Sequence, residues 1–372
     1  MTIRHDRARR RFLTSVSALA LLGQAYGIAQ AEAAGASTDR PPLWLEFGWH
    51  YAQVGGIGLP LSPSFFDGID QGGFTSPLTA ERAIGWSYGG DTNISFEPGD
   101  TGLIFSVGLR YGRAHGRHHL HEQTNEARRE KIGGKYQTLS SPIVENFSDT
   151  KASNSDTHVI ADFQVGKDVG IGLFGQEGTS VVNFGVRFAQ FKSRSHAEVY
   201  SIPDYYFPHP PHDILKYAFH QHNYHAVGDM ERDFRSIGPS LSWDASAAIA
   251  GNSADGEISL DWGVNGAILF ARQTVRGHHV TSGHYYYRKA LPLHQFSSAY
   301  QTSGSPNRSR RVTIPNIGGF AGLSYRFTDA KLSVGYRADI FVNAIDRGID
   351  TRTTANRTFY GPYASISIGL GD

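Results

Sequence analysis

Histidine is the residue type that most directly suggests chemistry in this sequence, because 13 of the 17 histidines are concentrated in three segments. Imidazole binds zinc, copper and nickel, and His-x-His or His-x-x-His spacing can bring two rings to one ion. Histidine also changes charge between about pH 5 and 8, so the same segments could respond to external pH. The simplest alternative is that they are hydrated surface residues. The 13 clustered histidines are His115, His118, His119, His121, His209, His212, His220, His222, His225, His278, His279, His284 and His294. The candidate metal ligands among them are His118, His119, His121, His220, His222, His225, His278 and His279.

A second candidate set consists of charged side chains that alternate with apolar ones. Its members are Glu46, Asp91, Arg110, Asp162, Arg187, Asp244, Asp261, Arg326, Arg337 and Asp339. If these residues line a water-filled channel, four arginines facing carboxylates would select the solutes that permeate. If they fill a packed interior instead, they form mutually compensating ion pairs. The sequence leaves both interpretations open.

Catalytic motifs are scarce. The chain has no cysteine, which excludes disulfides, thiolate metal sites and cysteine nucleophiles. It also has no G-x-S-x-G, P-loop or H-E-x-x-H motif, so we predict neither an enzyme nor a bound cofactor. The pairs Asp213 with His212 and Asp229 with His225 are the remaining candidates for a hydrolytic site at an outer mouth.

The elements that would position these residues are β-strands with one apolar and one polar face. From Leu103 to Tyr111, and from Val182 to Phe188, every second residue is apolar and those between are small or polar. Alternation with a period of two identifies such strands. Ten strands are predicted, at 43–54, 82–97, 102–114, 156–168, 179–199, 231–249, 257–276, 309–327, 330–345 and 356–370. Strands that cross a membrane need about 9–11 residues, and all ten reach that length.

The connections between the strands indicate the fold class. Short turns at 98–101, 169–178, 251–255 and 328–329 alternate with long segments at 55–81, 115–155, 200–230 and 277–308, and a brief one at 346–355. This asymmetry is typical of an outer-membrane barrel with short periplasmic turns and long extracellular loops, and it places the three histidine clusters in predicted external loops. A two-sheet sandwich predicts loops of similar length at both ends. We therefore predict an all-β, transmembrane, antiparallel up-and-down barrel of about ten strands, with eight to twelve allowed.

The N-terminus indicates export. Five arginines within residues 4–11 precede an apolar stretch from Phe12 to about Leu22 and a cleavage-like Ala29-Gln30-Ala31. This pattern predicts a Sec-type signal peptide over 1–31 and a single barrel domain over 32–372. Cleavage changes the formal net charge from +1 to −3, which argues against nucleic-acid binding. The expected partners are outer-membrane lipid, lipopolysaccharide, the barrel-assembly machinery and further copies of the chain.

Three short motifs give the sequence a resemblance to a known group. Gly185-Val186-Arg187-Phe188-Ala189, Ile237-Gly238-Pro239-Ser240-Leu241 and Phe359-Tyr360-Gly361-Pro362-Tyr363 resemble the Legionella-type major outer membrane protein family. The similarity covers mainly residues 156–370. It implies a pore-forming barrel of the outer membrane without enzymatic activity.

The chain departs from that family and from many outer-membrane barrels in two respects. It lacks the cysteines for disulfide-linked assembly, and it ends at Asp372, with Leu370 in place of a terminal aromatic residue. Ten strands also suggest a narrow lumen, because eight are just filled by side chains and 16–18 leave a channel. The leading hypothesis is a porin-like passive channel for small polar solutes. Its alternative is a non-conducting barrel for surface display, adhesion, metal capture or envelope structure.

Overall fold

The computed structural model describes residues 42–56, 85–98, 101–125, 129–132, 135–138, 145–169, 178–202, 219–252, 256–289, 294–327, 329–349 and 352–370. The predicted signal peptide, residues 1–31, lies outside this described part of the chain. The elements are β1 Leu43–Gly55, β2 Trp86–Phe96, β3 Leu103–Asn125, β4 Arg129–Ile132, β5 Lys135–Thr138, β6 Glu145–Asp168, β7 Gly178–Ile202, β8 Phe219–Asn252, β9 Gly256–Lys289, β10 His294–Gly304, β11 Asn307–Arg326, β12 Ala330–Asp346 and β13 Thr354–Leu370. Within the described ranges, no helix has the length and apolar character needed to cross a membrane.

Ten of these strands close into a ring. Their order is β1-β2-β3-β6-β7-β8-β9-β11-β12-β13, with β13 paired back to β1 and β8 paired to β9. The first and last strands close it in antiparallel register, with Leu43 opposite Leu370 and His50 opposite Tyr363. A closed ring satisfies every backbone group between neighbouring strands and leaves no edge. The predicted ten-stranded up-and-down barrel is confirmed.

The three remaining strands lie outside the ring order. β10 pairs with the upper part of β9 and continues the line of β11, since Gly304 lies opposite His279 and Asn307 opposite Arg276. β4 and β5 form a separate two-stranded hairpin. The predicted loop at 277–308 is therefore wrong. Most of that segment is strand, and only 290–293 joins β9 to β10.

The outer face of the ring carries an apolar band. On β9 the outward residues Ile258, Leu260, Val264, Ile268 and Phe270 are exposed, while the odd-numbered residues of the strand point inward. The other strands show the same alternation. A soluble protein would bury such a surface, whereas a barrel in lipid presents it to the acyl chains. Each strand therefore lies across the membrane with one face to lipid and one to the lumen.

Aromatic residues mark both borders of this band. On β1 and β2, Tyr51 stacks on Trp86 with ring centroids 4.5 Å apart and contacts Tyr88 at 5.0 Å. At the opposite border, Tyr325 and Phe327 make an edge-to-face pair at 4.6 Å beside the short turn after β11. Amphipathic rings prefer the level of the lipid headgroups. The two groups of rings therefore delimit the membrane-spanning part.

Several strands continue far beyond the band on the side of the long connections. β8 and β9 have 34 residues each, and they remain paired up to Phe219 opposite Arg288. On β3 the outward face changes from apolar up to Tyr111 to Arg113 and His115 above it. The predicted end of this strand at 114 is wrong, because apolar alternation stops at the membrane surface while backbone pairing continues. We call the paired parts beyond the band the extracellular extension.

Candidate functional site

The inside of the barrel gathers the charged residues predicted to face the lumen. The structure places Glu46, Asp91, Arg110, Asp162, Arg187, Asp244, Asp261, Arg326, Arg337 and Asp339 on or beside the inner surface. Each lies on a strand whose alternate residues form the lipid-facing band, so period-two alternation alone points these side chains inward. Their arrangement decides whether they line a channel or fill the interior.

Arg187 on β7 is held by hydrogen bonds to the neighbouring strand β6 and to the more distant strands β9 and β11. Its Nε donates to Asp162 Oδ1 at 2.7 Å and its NH2 donates to Asp162 Oδ2 at 2.9 Å. Its NH1 donates to the side-chain oxygens of Asn265 and Asn316 on β9 and β11. A bidentate arginine–carboxylate pair is strong and geometrically specific. This buried guanidinium therefore joins four strands through its own donors.

Arg110 makes a second link, which crosses the lumen. Its guanidinium bonds to Asp339 on β12 and lies 3.2 Å from Asp91 Oδ1 on the neighbouring β2. Asp91 also contacts Arg337 at 3.5 Å and His50 at 3.2 Å. Among the described residues, these arginines are thus neutralised by carboxylates at contact distance. Compensated charges of this kind fill an interior rather than form a free selectivity ring.

Below this network, the interior opens toward the short turns as a cavity of about 400 Å³. Glu46, Asp244, Asp261, Arg326 and Lys331 line it, together with several serines. Lys331 Nζ lies 2.6 Å from Asp261 Oδ2, so paired charges occur here too. The cavity is polar and wide enough for water or a small solute. Its upper end meets the network of Arg110 and Asp91.

Above the network, the lumen is filled by aromatic rings. Phe191 on β7 contacts Phe359 on β13 at 5.3 Å, and these two strands are diametrically opposite in the ring of ten. Phe191 also stacks on Phe234 at 5.0 Å and meets Phe341 edge-on at 4.8 Å. All four rings are buried, and aliphatic side chains pack around them. We call these four phenylalanines the aromatic plug.

A buried ion pair is set into the plug. The guanidinium of Arg357 bonds to Asp156, and the side chains of both residues have no solvent exposure. The Arg357 guanidinium also lies 5.0 Å from the centre of the Phe359 ring, and His158 packs on the same ring at 4.1 Å. A desolvated cation beside an aromatic face gains cation–π stabilisation in addition to its counterion. Arg357, Asp156 and His158 therefore fill the lumen beside the Phe359 ring.

The connection between β12 and β13 lies over the plug. Asn343 adopts a left-handed φ of 57°, and the pairing of β12 with β13 shifts register between Phe341 and Ile345. This bulge turns Ala344 and Ile345 into the core, where both are buried. A bulge re-aims a strand at the cost of local pairing. In this protein the bulge directs the C-terminal end of β12 into the barrel.

Two arginines hold this connection in place. Arg232 donates to the carbonyls of Asp346 and Arg347 at 2.8 and 3.0 Å. Arg308 donates to the carbonyls of Gly348 and Ile349, and its NH2 lies 3.2 Å from Asp346 Oδ2. Burial lowers the pKa of Arg232 to about 10, although Asp346 opposes the shift, so the cation is retained at neutral pH.

The structure corrects the predicted location of the histidines. His115 to His121 lie in β3, His220 to His225 in β8, His278 to His284 in β9 and His294 in β10, so they belong to strands and not to loops. His209 and His212, and the side chains of His220 and His222, lie outside the described residues.

Neighbouring histidines on one strand point to opposite faces, which separates the proposed metal ligands. His118 is on the inner side of β3 while His119 and His121 are exposed, and His279 is buried while His278 is exposed. His119 and His121 both contact Asp149, and the hydrogen bond from His119 is the main cause that lowers the pKa of this carboxyl. Among the described residues, no group of three such side chains is arranged to hold a metal ion.

The pairs considered for hydrolysis are not assembled either. Asp229 bonds to His196 at 2.8 Å, and His225 bonds to Glu198 at 3.0 Å, all on the exposed outer face of the extracellular extension. Asp213 and His212 lie outside the described residues. These two histidine–carboxylate pairs therefore lie on the exposed surface of the extracellular extension.

Sequence analysis missed the residues that close the lumen. Asp156 and His158 share the inward parity of Asp162 on β6, and Phe191 has the parity opposite to the lipid-facing Phe184 on β7. When the period of two is continued beyond the apolar stretches of β6 and β7, it assigns these three side chains to the inner face. No sequence signal indicates that Phe191 reaches Phe359 across the ring.

Comparison with known proteins adds little. No family model matches the chain, and no curated protein matches it. Among solved structures, a mutant of the TodX monoaromatic hydrocarbon channel has 8% identity over 89% of this chain and 91% of its own, with a TM-score of 0.23. The toluene transporter TbuX of Ralstonia pickettii has 9% identity over 89% and 90%, with a TM-score of 0.22. The transport unit of the autotransporter AIDA-I from Escherichia coli has 8% identity over 96% and 97%, with a TM-score of 0.19. Similarities this weak carry no information about the function of the chain.

Proposed function

We propose that the protein is a closed, non-catalytic barrel of the Gram-negative outer membrane that displays a rigid β-sheet extension at the cell surface. The aromatic plug is the observation that carries this proposal. Phe191 and Phe359 meet from opposite strands, so the buried rings span the middle of the lumen at that level. An ion would have to shed its hydration among buried rings, which is costly.

The extracellular extension supports the display role. β8 and β9 remain paired well above their last lipid-facing residues, Ile237 and Phe270. The outer face of this part carries exposed polar pairs, such as Lys192 with Glu231 at 2.8 Å. Continuous backbone pairing makes such a surface stiffer than a loop of equal length. It therefore presents a fixed pattern of charges and imidazoles to the exterior.

A porin-like channel for small polar solutes is the second candidate, and the polar cavity favours it. The cavity of about 400 Å³ reaches up to Asp91 and Arg337 from the side of the short turns. The cover above the plug is held by hydrogen bonds from Arg232 and Arg308, which can exchange with water. A channel state would require this cover and the plug to move together. The resemblance to the Legionella-type family is in line with this candidate.

Conductance in planar lipid bilayers separates the two candidates. The protein purified from outer membranes is compared with the double variant Phe191→Ala/Phe359→Ala and with Phe184→Ala. Phe184 lies on the same strand as Phe191 but faces lipid, with 66% of its surface exposed. We expect the wild type and Phe184→Ala to be silent, and the double variant to leak because the plug loses two of its four rings.

Steady, discrete openings of the wild-type protein would overturn the closed-barrel proposal and support the channel. In that case, neutralising Arg337 should change the ion selectivity. Silence of all three proteins would support a closed lumen and would indicate that Phe234 and Phe341 are sufficient to block it. Folding of each variant is checked by heat-modifiable gel mobility, so a leak cannot be mistaken for misfolding.

A further inference from the structure

Three arginines form a row on the outer face of the barrel. Arg272 on β9 lies directly opposite Arg235 on β8 and directly opposite Arg311 on β11. All three are exposed. Directly opposed residues of antiparallel strands are about 5 Å apart at their Cα atoms, and like charges in this arrangement repel. The row is therefore a local concentration of positive charge that the fold itself disfavours.

The neighbouring acidic groups leave most of this charge uncompensated. Asp233 binds Arg235, with Nε–Oδ1 and NH2–Oδ2 distances of 3.3 and 2.9 Å. Arg272 donates from Nε to the hydroxyl of Ser309 at 2.8 Å, which adds no negative charge. Within the described part of the chain, neither Arg272 nor Arg311 has a carboxylate at ion-pair distance.

The basic residues of β7 just above the row differ from it. Lys192 and Arg194 share Glu231 of β8, at 2.8 and 3.6 Å. Within the described residues, Arg272 and Arg311 share no such carboxylate, and they lie directly above the lipid-facing Ile237 and Phe270. An anion that neutralises the row therefore has to come from another molecule at the edge of the apolar band.

The surroundings of the row fit an anion with a hydrophobic body. Two residues below the arginines on the same strands lie the exposed Ile237 and Phe270, which belong to the apolar band. A surface groove of about 630 Å³ runs between Arg235, Arg272 and Arg311 above and these apolar side chains and Phe188 below. A single molecule in this groove would meet guanidinium groups at its polar end and apolar side chains along its tails.

We infer that Arg235, Arg272 and Arg311 form a binding site for the phosphate groups of the phosphorylated glycolipid of the outer leaflet. Guanidinium groups bind phosphate oxygens with paired hydrogen bonds, and a phosphate between two of them relieves their mutual repulsion. The acyl chains of the same molecule lie along Ile237 and Phe270. The inference rests on the outer-membrane setting of the barrel and is independent of whether the lumen conducts.

The test is binding of bisphosphorylated lipid A to the delipidated protein in detergent, measured by native mass spectrometry. The variants are Arg272→Gln/Arg311→Gln and Arg272→Lys/Arg311→Lys. The matched control is Arg113→Gln, because Arg113 is also exposed at the border of the band but lies between Tyr88 and Thr157. Removal of two charges should weaken binding by about tenfold or more, while the control should bind as the wild type does. The lysine variant should bind with intermediate affinity, because it keeps the charge and loses the paired donors.

Two further arms identify the source of the phosphate. Dephosphorylated lipid A should bind poorly to the wild type, and inorganic phosphate at millimolar concentration should compete only weakly. Equal binding of lipid A by the glutamine variant and the wild type would show that the arginine row is not the binding site. Equal binding of dephosphorylated lipid A would overturn the role of phosphate. Full competition by inorganic phosphate would overturn the lipid as the ligand and leave a site for free anions.

Discussion

At the scale of single residues, the interior of this barrel is governed by charge compensation. Arg187 and Asp162 are directly opposite in register, and the guanidinium places two donors on one carboxylate. In a region of low dielectric, such a pair is far less costly than either charge alone. The contribution of this pair to the free energy of unfolding is therefore measured best by replacing one partner and then both.

We expect Arg187→Met to lower the free energy of unfolding by about 1–3 kcal/mol, because it leaves the partly buried Asp162 carboxylate without its bidentate partner. The double variant Arg187→Met/Asp162→Leu should recover part of the loss. Recovery is incomplete since Asn265 and Asn316 still lose a donor. Urea titration in lipid vesicles, followed by tryptophan fluorescence, measures both.

The matched control for this prediction is Arg113→Met. Arg113 is exposed on β3, so its replacement should change the free energy of unfolding by no more than about 0.5 kcal/mol. If Arg187→Met were as stable as the control, the buried pair would contribute nothing to the fold.

At the scale of elements, the connection from β12 to β13 acts as a cover over the plug. Its path depends on the bulge at Asn343 and on the side chain of Asp346, which accepts the backbone N–H groups of Gly348 and Thr353, each at 3.1 Å. Arg232 and Arg308 then fix the turn to β8 and β11. Because these contacts are polar, they can exchange with water, so the cover is the part of the closure that substitution of two arginines can release.

We expect Arg232→Gln/Arg308→Gln to free this cover without unfolding the ring. The amides of Gly348 and Thr353 should exchange with deuterium about tenfold faster or more, because their acceptor Asp346 loses its own support. Hydrogen exchange with mass spectrometry gives the rates. Arg310→Gln is the control, since Arg310 lies on the same strand as Arg308 and is exposed. Unchanged exchange in the double variant would show that the buried Ile345 and Ile349 hold the cover by packing alone.

At the scale of the whole molecule, the lengths of the connections orient the barrel. The four connections at the cavity end are short, and the extracellular extension rises from the other end. In outer-membrane barrels the short turns are periplasmic. The polar cavity then faces the periplasm, and the histidine-bearing strands face the exterior.

Absence of cysteine makes this orientation directly testable. A single cysteine introduced by His115→Cys should react on intact cells with a maleimide that cannot cross the membrane, because His115 is exposed above the band on β3. Asp329→Cys, in the short turn before β12, should react only after the outer membrane is permeabilised. The reverse labelling pattern would show that the barrel has the opposite orientation, which would place the arginine row in the inner leaflet.

The sequence alone predicted the ring of ten strands, because alternation and connection length are local properties that are visible along the chain. The inward direction of residues such as Arg187 and Asp339 follows from the same period of two. The extracellular ends of the strands did not follow from this alternation. Apolar alternation reports contact with lipid and ends at the membrane surface, whereas β3, β8 and β9 remain paired beyond it.

Only the tertiary structure decided which inward residues meet. Arg110 reaches Asp339 over 229 residues of sequence, and Phe191 reaches Phe359 across the full ring. Periodicity assigns a side chain to a face, but its height in the barrel and its partner across the lumen depend on strand number and stagger. The sequence therefore determined a membrane barrel with a charged interior. The stagger of its strands decided that this interior is paired and plugged.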